Sequence, residues 1–281
     1  MSDRVTINVD ERGVADVRLN RPEKRNALDT AMFTGLRDAG EQLKAMPNVR
    51  VVVLSGEGSS FCAGLDFSSF NAMASGERVG GTEAPADKPA AAEESPSTPT
   101  SGGITHLGQQ AAWVWQELPV PVIAAVHGHA LGGGIQIALG ADIRIVHPDT
   151  QLSVREVHWG LVPDMTGTLF LSRLCGVDVA KELTFTARIF SGTEAGQLGV
   201  ATRVSETPRE DALALAAEIA GRSPDAVRGA KALFNRLANE GAAEQFAEER
   251  RVIGSLIGSP NQIETVKANF EKRAPAYTDP N

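Results

Sequence analysis

Three runs of apolar, largely β-branched residues constrain the fold of this chain more than any other feature. They occupy residues 50–54, 121–126 and 143–146. Runs that are apolar without alternation are typical of strands buried on both faces, as in a parallel sheet covered by helices. Residues 5–9 and 14–19 instead alternate apolar and polar side chains across a turn, which indicates a hairpin. The sequence therefore predicts an α/β layered core whose sheet begins with a hairpin.

Glycine-rich segments follow two of these apolar runs. The first covers residues 59–66 and the second covers residues 127–136. Each places glycine where a strand passes into a helix, so that unpaired backbone N–H groups accumulate there and favour negative charge. Two such donors that converge on one oxygen would form an oxyanion hole. Glycines that only allow close packing between strand and helix are the alternative that stays open.

The remaining patterns are mainly helical. Asp29 has the position of a helix N-cap, and four helical segments cover residues 212–220, 226–237, 243–256 and 262–270. We predict a core of residues 1–207 and a C-terminal helical subdomain of residues 208–281. Residues from about 75 to 103 are dense in Ala, Pro, Ser, Thr and Gly, which predicts a mobile insertion in the core.

Charge and cysteine content exclude several classes of function. The formal net charge of −8 argues against nucleic-acid binding and against an anionic membrane surface. The two cysteines, Cys62 and Cys175, are too few for a disulfide scaffold, and no signal peptide is visible, so we expect a cytoplasmic protein. No cluster of His, Cys and Asp has the spacing of metal ligands, and we expect no metal site.

Three motifs carry a resemblance to a known family. They are Arg-Pro-Glu-Lys-Arg-Asn-Ala-Leu at 21–28, Phe-Cys-Ala-Gly-Leu-Asp at 61–66, and the segment that runs from Pro-Val-Ile-Ala-Ala-Val-His-Gly to Gly-Gly-Gly at 121–134. In this order the motifs resemble the crotonase (enoyl-CoA hydratase/isomerase) superfamily over about residues 5–273. The resemblance implies a crotonase-like spiral of ββα repeats with a C-terminal helical trimerisation region. It also implies a homotrimer or a hexamer made of two trimers.

The resemblance further implies an acyl-CoA thioester substrate, with coenzyme A as part of the substrate and no permanently bound cofactor. The oxyanion donors would be the backbone N–H groups of Leu65 and Gly133. The residues implied to contact coenzyme A are Lys24, Asn26, Ala27, Ala63 and Asp66. Lys272 would reach the coenzyme A of a neighbouring subunit, unless it only complements the dipole of a solvated helix end.

The positions of the acid–base residues depart from the pattern of typical hydratases. Those enzymes carry one glutamate two residues after the glycine run and a second on the segment that follows the next strand. Here the first position is Gln136, a neutral amide that cannot act as a base, while the second is Glu156. Hydration is therefore in doubt, and Gln136→Glu should raise it if water can enter the pocket.

A second carboxylate, Asp164, follows Glu156 by eight residues. This arrangement resembles the dienoyl-CoA isomerases of the superfamily. Two carboxylates suffice for isomerisation, because one removes a proton beside the thioester while the other supplies one farther along the chain. We therefore expect double-bond isomerisation of an enoyl- or dienoyl-CoA.

Other interpretations remain open from the sequence alone. They are a hydratase that uses Glu156 alone, a thioester hydrolase, a carbon–carbon lyase, or a non-catalytic acyl-CoA-binding protein. Asp164 also has the sequence context of a simple helix N-cap.

Overall fold

A computed structural model describes residues 4–66 and 103–277 of the 281-residue chain. The predicted mobile insertion at 75–103 lies outside the described residues, except for Gly103. None of the helices in the described stretches is long and apolar enough to cross a membrane.

The larger sheet has the predicted layered arrangement. Its strands, in chain order, are β1 (Val5–Val9), β2 (Val14–Leu19), β3 (Val51–Gly56), β4 (Val122–Val126), β6 (Ile143–Val146) and β9 (Arg203–Val204). The spatial order is β1-β2-β3-β4-β6-β9; β1 and β2 pair antiparallel and the other neighbours pair parallel. The predicted hairpin and the predicted parallel strands are therefore confirmed.

A smaller sheet lies next to the second glycine-rich segment. It consists of β5 (His129–Leu131), β7 (Gln151–Ser153) and β8 (Phe190–Ser191), in the order β5-β7-β8. The isolated bridge between Cys62 and Ala130 joins the first glycine-rich segment to β5. These strands have two or three residues each, too few for an alternation pattern to predict them.

The helices cover the large sheet and build the C-terminal part of the chain. Their bounds are α1 (Thr30–Lys44), α2 (Leu107–Glu117), α3 (Gly133–Leu139), α4 (Gly167–Cys175), α5 (Val177–Thr186), α6 (Gly192–Gln197), α7 (Pro208–Ala220), α8 (Pro224–Ala238), α9 (Ala242–Leu256) and α10 (Pro260–Glu271). Asp29 is the N-cap of α1, as predicted, and its carboxylate accepts a hydrogen bond from the Met32 N–H.

The apolar strand β3 is buried on both faces, which explains why its sequence does not alternate. Val52 and Leu54 pack into the core on the side of α1 and α2. Val51 and Val53 pack on the other side, where α7 contributes Ala212 and its neighbours one turn apart. The first helix after residue 208 thus covers the sheet. The division into 1–207 and 208–281 stays a prediction about folding units.

A buried lysine joins helix α8 to the core. Lys231 Nζ donates hydrogen bonds to the carbonyl oxygens of Trp115 and Val120, each at 2.9 Å, and lies 2.8 Å from Asp142 Oδ2. A buried ammonium group needs such partners, because an unpaired charge in the interior is costly. This anchor sets where the chain continues into α9, which reaches the candidate site.

Candidate active site

The two glycine-rich segments lie side by side in the structure. Leu131 N donates to Cys62 O at 3.1 Å, and Cys62 N donates to His129 O at 2.9 Å. Gly64 has a φ of +90°, and a Cβ there would lie 2.5 Å from the carbonyl oxygen of Leu131. Only glycine fits this backbone geometry without strain. Close packing is therefore one reason for these glycines.

The same segments also direct two backbone N–H groups towards one cavity. Leu65 and Gly133 both line a cavity of about 590 Å³. Neither N–H donates a hydrogen bond to another residue in the described part of the chain. Unpaired buried N–H groups are uncommon in folded proteins, so two of them lining one cavity indicate a place for an acceptor.

One end of the cavity is apolar. Its large apolar lining residues are Leu28, Phe33, Trp159, Leu161, Met165, Ile253 and Ile257. They come from the core of the fold and from the C-terminal helix α9 and the residue after it. A surface of this kind suits a hydrocarbon chain rather than a charged group.

Glu156 presents one carboxylate to this cavity. It opens a 3-10 turn, Glu156–Trp159, after strand β7. Gln136 Nε2 donates a hydrogen bond of 2.6 Å to Oε1 of Glu156, whereas Oε2 is buried with no partner among the described residues. Burial raises the pKa of Glu156 to about 7. A carboxyl group with one free oxygen and a pKa near neutrality can act as a base.

The side chain of Gln136 does not have the position that a catalytic acid would need. Its side chain is buried, and it is not among the residues that line the cavity. Its Oε1 accepts hydrogen bonds from the N–H groups of Met165 and Gly167, each at 2.9 Å. The position of Gln136 therefore suits a side chain that donates a hydrogen bond to Glu156 and accepts hydrogen bonds from backbone N–H groups. An amide can do both, whereas an ionised carboxylate can only accept.

Asp164 lines the same cavity as Glu156. Helix α4 begins only at Gly167, and its N-cap is Thr166, with a φ of 72° and no side-chain capping bond. The interpretation of Asp164 as an N-cap is therefore wrong, because two further residues separate it from the helix. Burial, reinforced by the negative charges of Glu156 and Glu249, raises the pKa of Asp164 to about 8.

His106 is a cavity residue that the sequence analysis missed. It is the N-cap of α2, where its Nδ1 accepts the Gln109 N–H at 3.0 Å. A neutral ring therefore carries its proton on Nε2, which lies 3.8 Å from Asp164 Oδ2. Burial and the nearby charge of Arg250 lower the pKa of His106 to about 4, so the ring stays neutral. The His-x-x-Gln spacing is that of a capping box and could have indicated this helix start.

Glu249 is the second residue that the sequence analysis missed. It lies on α9 and is only 4% exposed. Its Oε1 accepts a hydrogen bond of 2.5 Å from Thr168 Oγ1 and its Oε2 accepts the Thr166 N–H at 3.1 Å. A glutamate three residues after the buried Phe246 and four before Ile253 lies on the apolar face of a helix, and that pattern was the available signal.

Four of the residues implied to contact coenzyme A line the cavity. They are Lys24, Ala27, Ala63 and Asp66. Asp66 Oδ2 accepts a hydrogen bond of 2.7 Å from Arg21 Nη1. The structure brings these residues together with Leu65 and Gly133, and their contact with a ligand stays a prediction.

Asn26 does not line the cavity, and its place beside coenzyme A stays a prediction. Its Nδ2 donates to the carbonyl oxygens of Glu57 and Ser60, at 2.9 and 2.8 Å, and its Oδ1 accepts the Arg21 N–H. The side chain is completely buried. Because all these hydrogen bonds are internal, Asn26 shapes the loop behind the cavity wall.

Lys272 does not line the cavity of its own chain. It follows α10 as the left-handed C-cap, with a φ of 54°, and its side chain is exposed. Its proposed contact with a neighbouring subunit stays a prediction. Within residues 4–66 and 103–277 no group of three or more His, Cys, Asp or Glu residues could hold a metal ion.

The fold is that of the crotonase class. The enoyl-CoA hydratase/isomerase of Pseudoalteromonas atlantica T6c superimposes with a TM-score of 0.81 at 26% identity, covering 98% of this chain and all of that one. The family model described as enoyl-CoA hydratase/isomerase matches residues 14–280. The chain therefore belongs to the enoyl-CoA hydratase/isomerase family.

Two curated relatives have different printed activities. A probable enoyl-CoA hydratase of Mycobacterium leprae is 32% identical over 269 residues, which cover 94% of this chain and 96% of that protein. A peroxisomal Δ(3,5)-Δ(2,4)-dienoyl-CoA isomerase of Arabidopsis thaliana is 33% identical over 263 residues, which cover 92% and 90%. Overall identity therefore does not separate hydration from isomerisation.

Proposed function

We propose that this protein moves a carbon–carbon double bond within an enoyl- or dienoyl-CoA thioester. The observation that carries the proposal is the pair of carboxyl groups, Glu156 and Asp164, that line one cavity, whereas Gln136 does not line it. The relative named as a dienoyl-CoA isomerase supports the same reaction. A pair of groups with different proton affinities can supply a base and an acid in the same pocket.

The first step uses Glu156 as the base. Its ionised carboxylate takes a proton from the carbon beside the thioester carbonyl, and the electron pair of that C–H bond moves towards the carbonyl oxygen. The product is a conjugated enolate whose oxygen carries the negative charge. The unpaired N–H groups of Leu65 and Gly133 would donate hydrogen bonds to this oxygen.

The second step uses Asp164 as the acid. Its protonated carboxyl gives a proton to the carbon at the far end of the conjugated system, and the carbonyl double bond re-forms as the carbon–carbon double bond shifts. Glu156 ends protonated and Asp164 ends ionised, and exchange with solvent restores both. With pKa values of about 7 and about 8, Glu156 is partly ionised and Asp164 largely protonated at neutral pH.

Hydration by Glu156 alone is the second candidate function. The free Oε2 of Glu156 is the observation in its favour, because it could activate one water molecule. The relative named as a probable enoyl-CoA hydratase points the same way. Asp164 would then have no role in proton transfer.

Incubation with a panel of enoyl- and dienoyl-CoA thioesters in heavy water tests the proposal. Mass spectrometry would locate deuterium and any added water. Isomerisation predicts a shifted double bond with deuterium at the distal carbon and no gain of water. Water addition to every substrate would favour the hydratase, and binding without exchange at the α-carbon would indicate an acyl-CoA-binding protein without catalytic activity.

We also propose that the protein assembles as a homotrimer or as a hexamer of two trimers. Helix α8 exposes Leu233, Phe234 and Leu237 by 72%, 73% and 78%, an apolar face that a second copy of the chain could cover. Native mass spectrometry should give a mass that is three or six times that of the chain. Leu237→Glu should weaken the assembly, and a wild-type monomer at micromolar concentration would overturn the proposal.

A further inference from the structure

The buried carboxylate of Glu249 accepts hydrogen bonds on both of its oxygens. Thr166 N and Gln109 Nε2 donate to Oε2, at 3.1 and 3.0 Å, and Thr168 Oγ1 donates to Oε1. The hydroxyl of Thr168 itself accepts from Gln245 Nε2 at 2.8 Å, so its own proton is free to point at Glu249. Only donors surround the group, as an ionised carboxylate requires. Burial raises the pKa of Glu249, and the hydrogen bonds from Thr168, Gln109 and Thr166 oppose that rise by stabilising the ionised carboxylate.

This charge lies directly behind the loop that carries Asp164. Thr166 and Thr168 flank the start of α4, two and four residues after Asp164. Gln136 holds the same loop from the opposite side through Met165 and Gly167. The loop is thus fixed between a neutral amide and an ionised carboxylate. Of the two, only Glu249 can act on the charge state of Asp164.

The groups that face Asp164 come from three elements. Glu156 lies on the 3-10 turn, Glu249 on α9, and His106 at the start of α2. His106 is neutral in its fixed tautomer, and its Nε2 can only donate. Arg250 donates to Gln109 Oε1 at 2.8 Å and faces His106. Arg155 lines the same cavity, but the charges that act on the pKa of Asp164 are those of Glu156 and Glu249, and both are negative.

We propose that Glu249 is a positioning residue that fixes the Asp164 loop and keeps a proton on Asp164 at neutral pH. The inference rests on the proposed function, because only an acid–base pair needs a proton retained there. Negative charges behind a carboxyl disfavour its ionisation, which is the direction found for Asp164. Removal of the Glu249 charge should let Asp164 ionise at lower pH, so the falling limb of the rate against pH should move down.

Glu249→Gln is the test variant, because it keeps the shape of the side chain and removes the charge. Its oxygen can still accept from Thr166 and Gln109, and its amide can donate to the Thr168 hydroxyl. Glu248→Gln is the matched control, since Glu248 is the neighbouring residue but is exposed and pairs with Arg251. Thr168→Val removes one hydrogen bond to Glu249 and leaves the charge in place.

Two measurements report on Asp164. Carbon-13 NMR of the aspartate carboxyls follows its ionisation, with Asp164→Asn to assign the signal. The rate of substrate isomerisation against pH follows the consequence. In Glu249→Gln both midpoints should fall by about one pH unit, while Glu248→Gln and Thr168→Val stay within error of wild type. Glu249→Met, which also removes the charge, should give the same shift if the Gln variant unfolds.

Unchanged Asp164 titration in both folded Glu249 variants would overturn the inference, and so would an equal shift in Glu248→Gln. The NMR titration needs no turnover, so it separates this inference from the proposed function. If the midpoint falls but no thioester is isomerised, the isomerase assignment fails and Glu249 still controls Asp164. If isomerisation occurs and the midpoint stays, only the role of Glu249 is refuted.

Discussion

The two sides of the cavity are built in different ways. One side consists of the backbone of the two glycine-rich segments, and this backbone supplies the N–H groups of Leu65 and Gly133. The other side consists of side chains from separate elements, among them Glu156 and Asp164, with Glu249 behind the Asp164 loop. The function of the first side depends on backbone geometry alone, whereas the function of the second side depends on the protonation states of its carboxyl groups. Substitutions on the two sides should therefore have different effects on the rate and on its pH dependence.

Glu156→Gln should have the largest effect, because it removes the base and keeps the shape. The new amide oxygen can still accept from Gln136, so the cavity should persist. General-base loss costs about a hundred- to ten-thousand-fold in rate. Turnover of the substrate found in the panel and coenzyme A affinity by calorimetry are the measurements. Glu218→Gln, on an exposed helix face, is the control. A wild-type rate would remove Glu156 from the mechanism.

Gly64→Ala should disrupt the backbone side of the cavity, because the added Cβ does not fit the local geometry. The new Cβ would lie 2.5 Å from the Leu131 carbonyl, at a φ of +90°, so the Leu65 N–H must move. Loss of one oxyanion donor costs about a hundred- to a thousand-fold in kcat. Gly254→Ala is the matched control, since its Cβ meets nothing within 4 Å. The pH dependence of the residual rate should not change, and a shifted profile would contradict the separation of the two sides.

Gln136→Glu, a substitution on the side-chain side of the cavity, should shift the dependence of the isomerisation rate on pH. A carboxylate there would lie next to Glu156 at the present 2.6 Å contact, and the pair would hold one proton to higher pH. The rising limb should move up by about one pH unit, which costs about fivefold in rate at neutral pH. Faster hydration of a simple 2-enoyl thioester would instead support the expectation drawn from the sequence. The isomerisation profile and water addition are measured together.

Asp164→Asn and Asp164→Ala should depress isomerisation by removing the proposed acid, and they should also have a smaller effect, which is on stability. The folded protein keeps the proton of Asp164 up to a pKa of about 8, whereas the unfolded chain releases it near its ordinary value of about 3.9. Wild-type stability therefore falls as the pH rises through this window, and the variants lose this part of the decline. At pH 9 both should exceed wild type in urea unfolding by about 1.4 kcal/mol for each pH unit that separates the folded and unfolded pKa values of Asp164. A lower stability of the Ala variant alone would restore the capping role.

The sequence predicted the central strands β3 and β4 well because they are buried on both faces. An apolar run such as β3 has few other structures open to it once helices flank it. The hairpin and the cap at Asp29 depend on local interactions, and those are visible in a short window. The glycine-rich segments were equally visible, since each is contiguous in the chain.

The sequence predicted the side-chain half only in part. Asn26 forms hydrogen bonds with the residue five positions before it and with carbonyl groups more than thirty positions after it. No local sequence pattern indicates that these internal bonds occupy all of the side chain's polar atoms. Glu249 reaches the loop that carries Asp164 through hydrogen bonds with Thr166 and Thr168, across more than eighty positions. The N-cap interpretation of Asp164 failed because Thr166 takes a left-handed φ, which the sequence around Pro163 does not indicate.

The contribution of α9 to the cavity has a consequence for biosynthesis. Ile253 and Ile257 close the apolar end of the cavity, and Glu249 supports its charged end. These residues leave the ribosome after all of the strands and after both glycine-rich segments. A growing chain therefore has an open hydrophobic furrow where the finished protein has a pocket. The pocket is therefore complete only when the last helices dock.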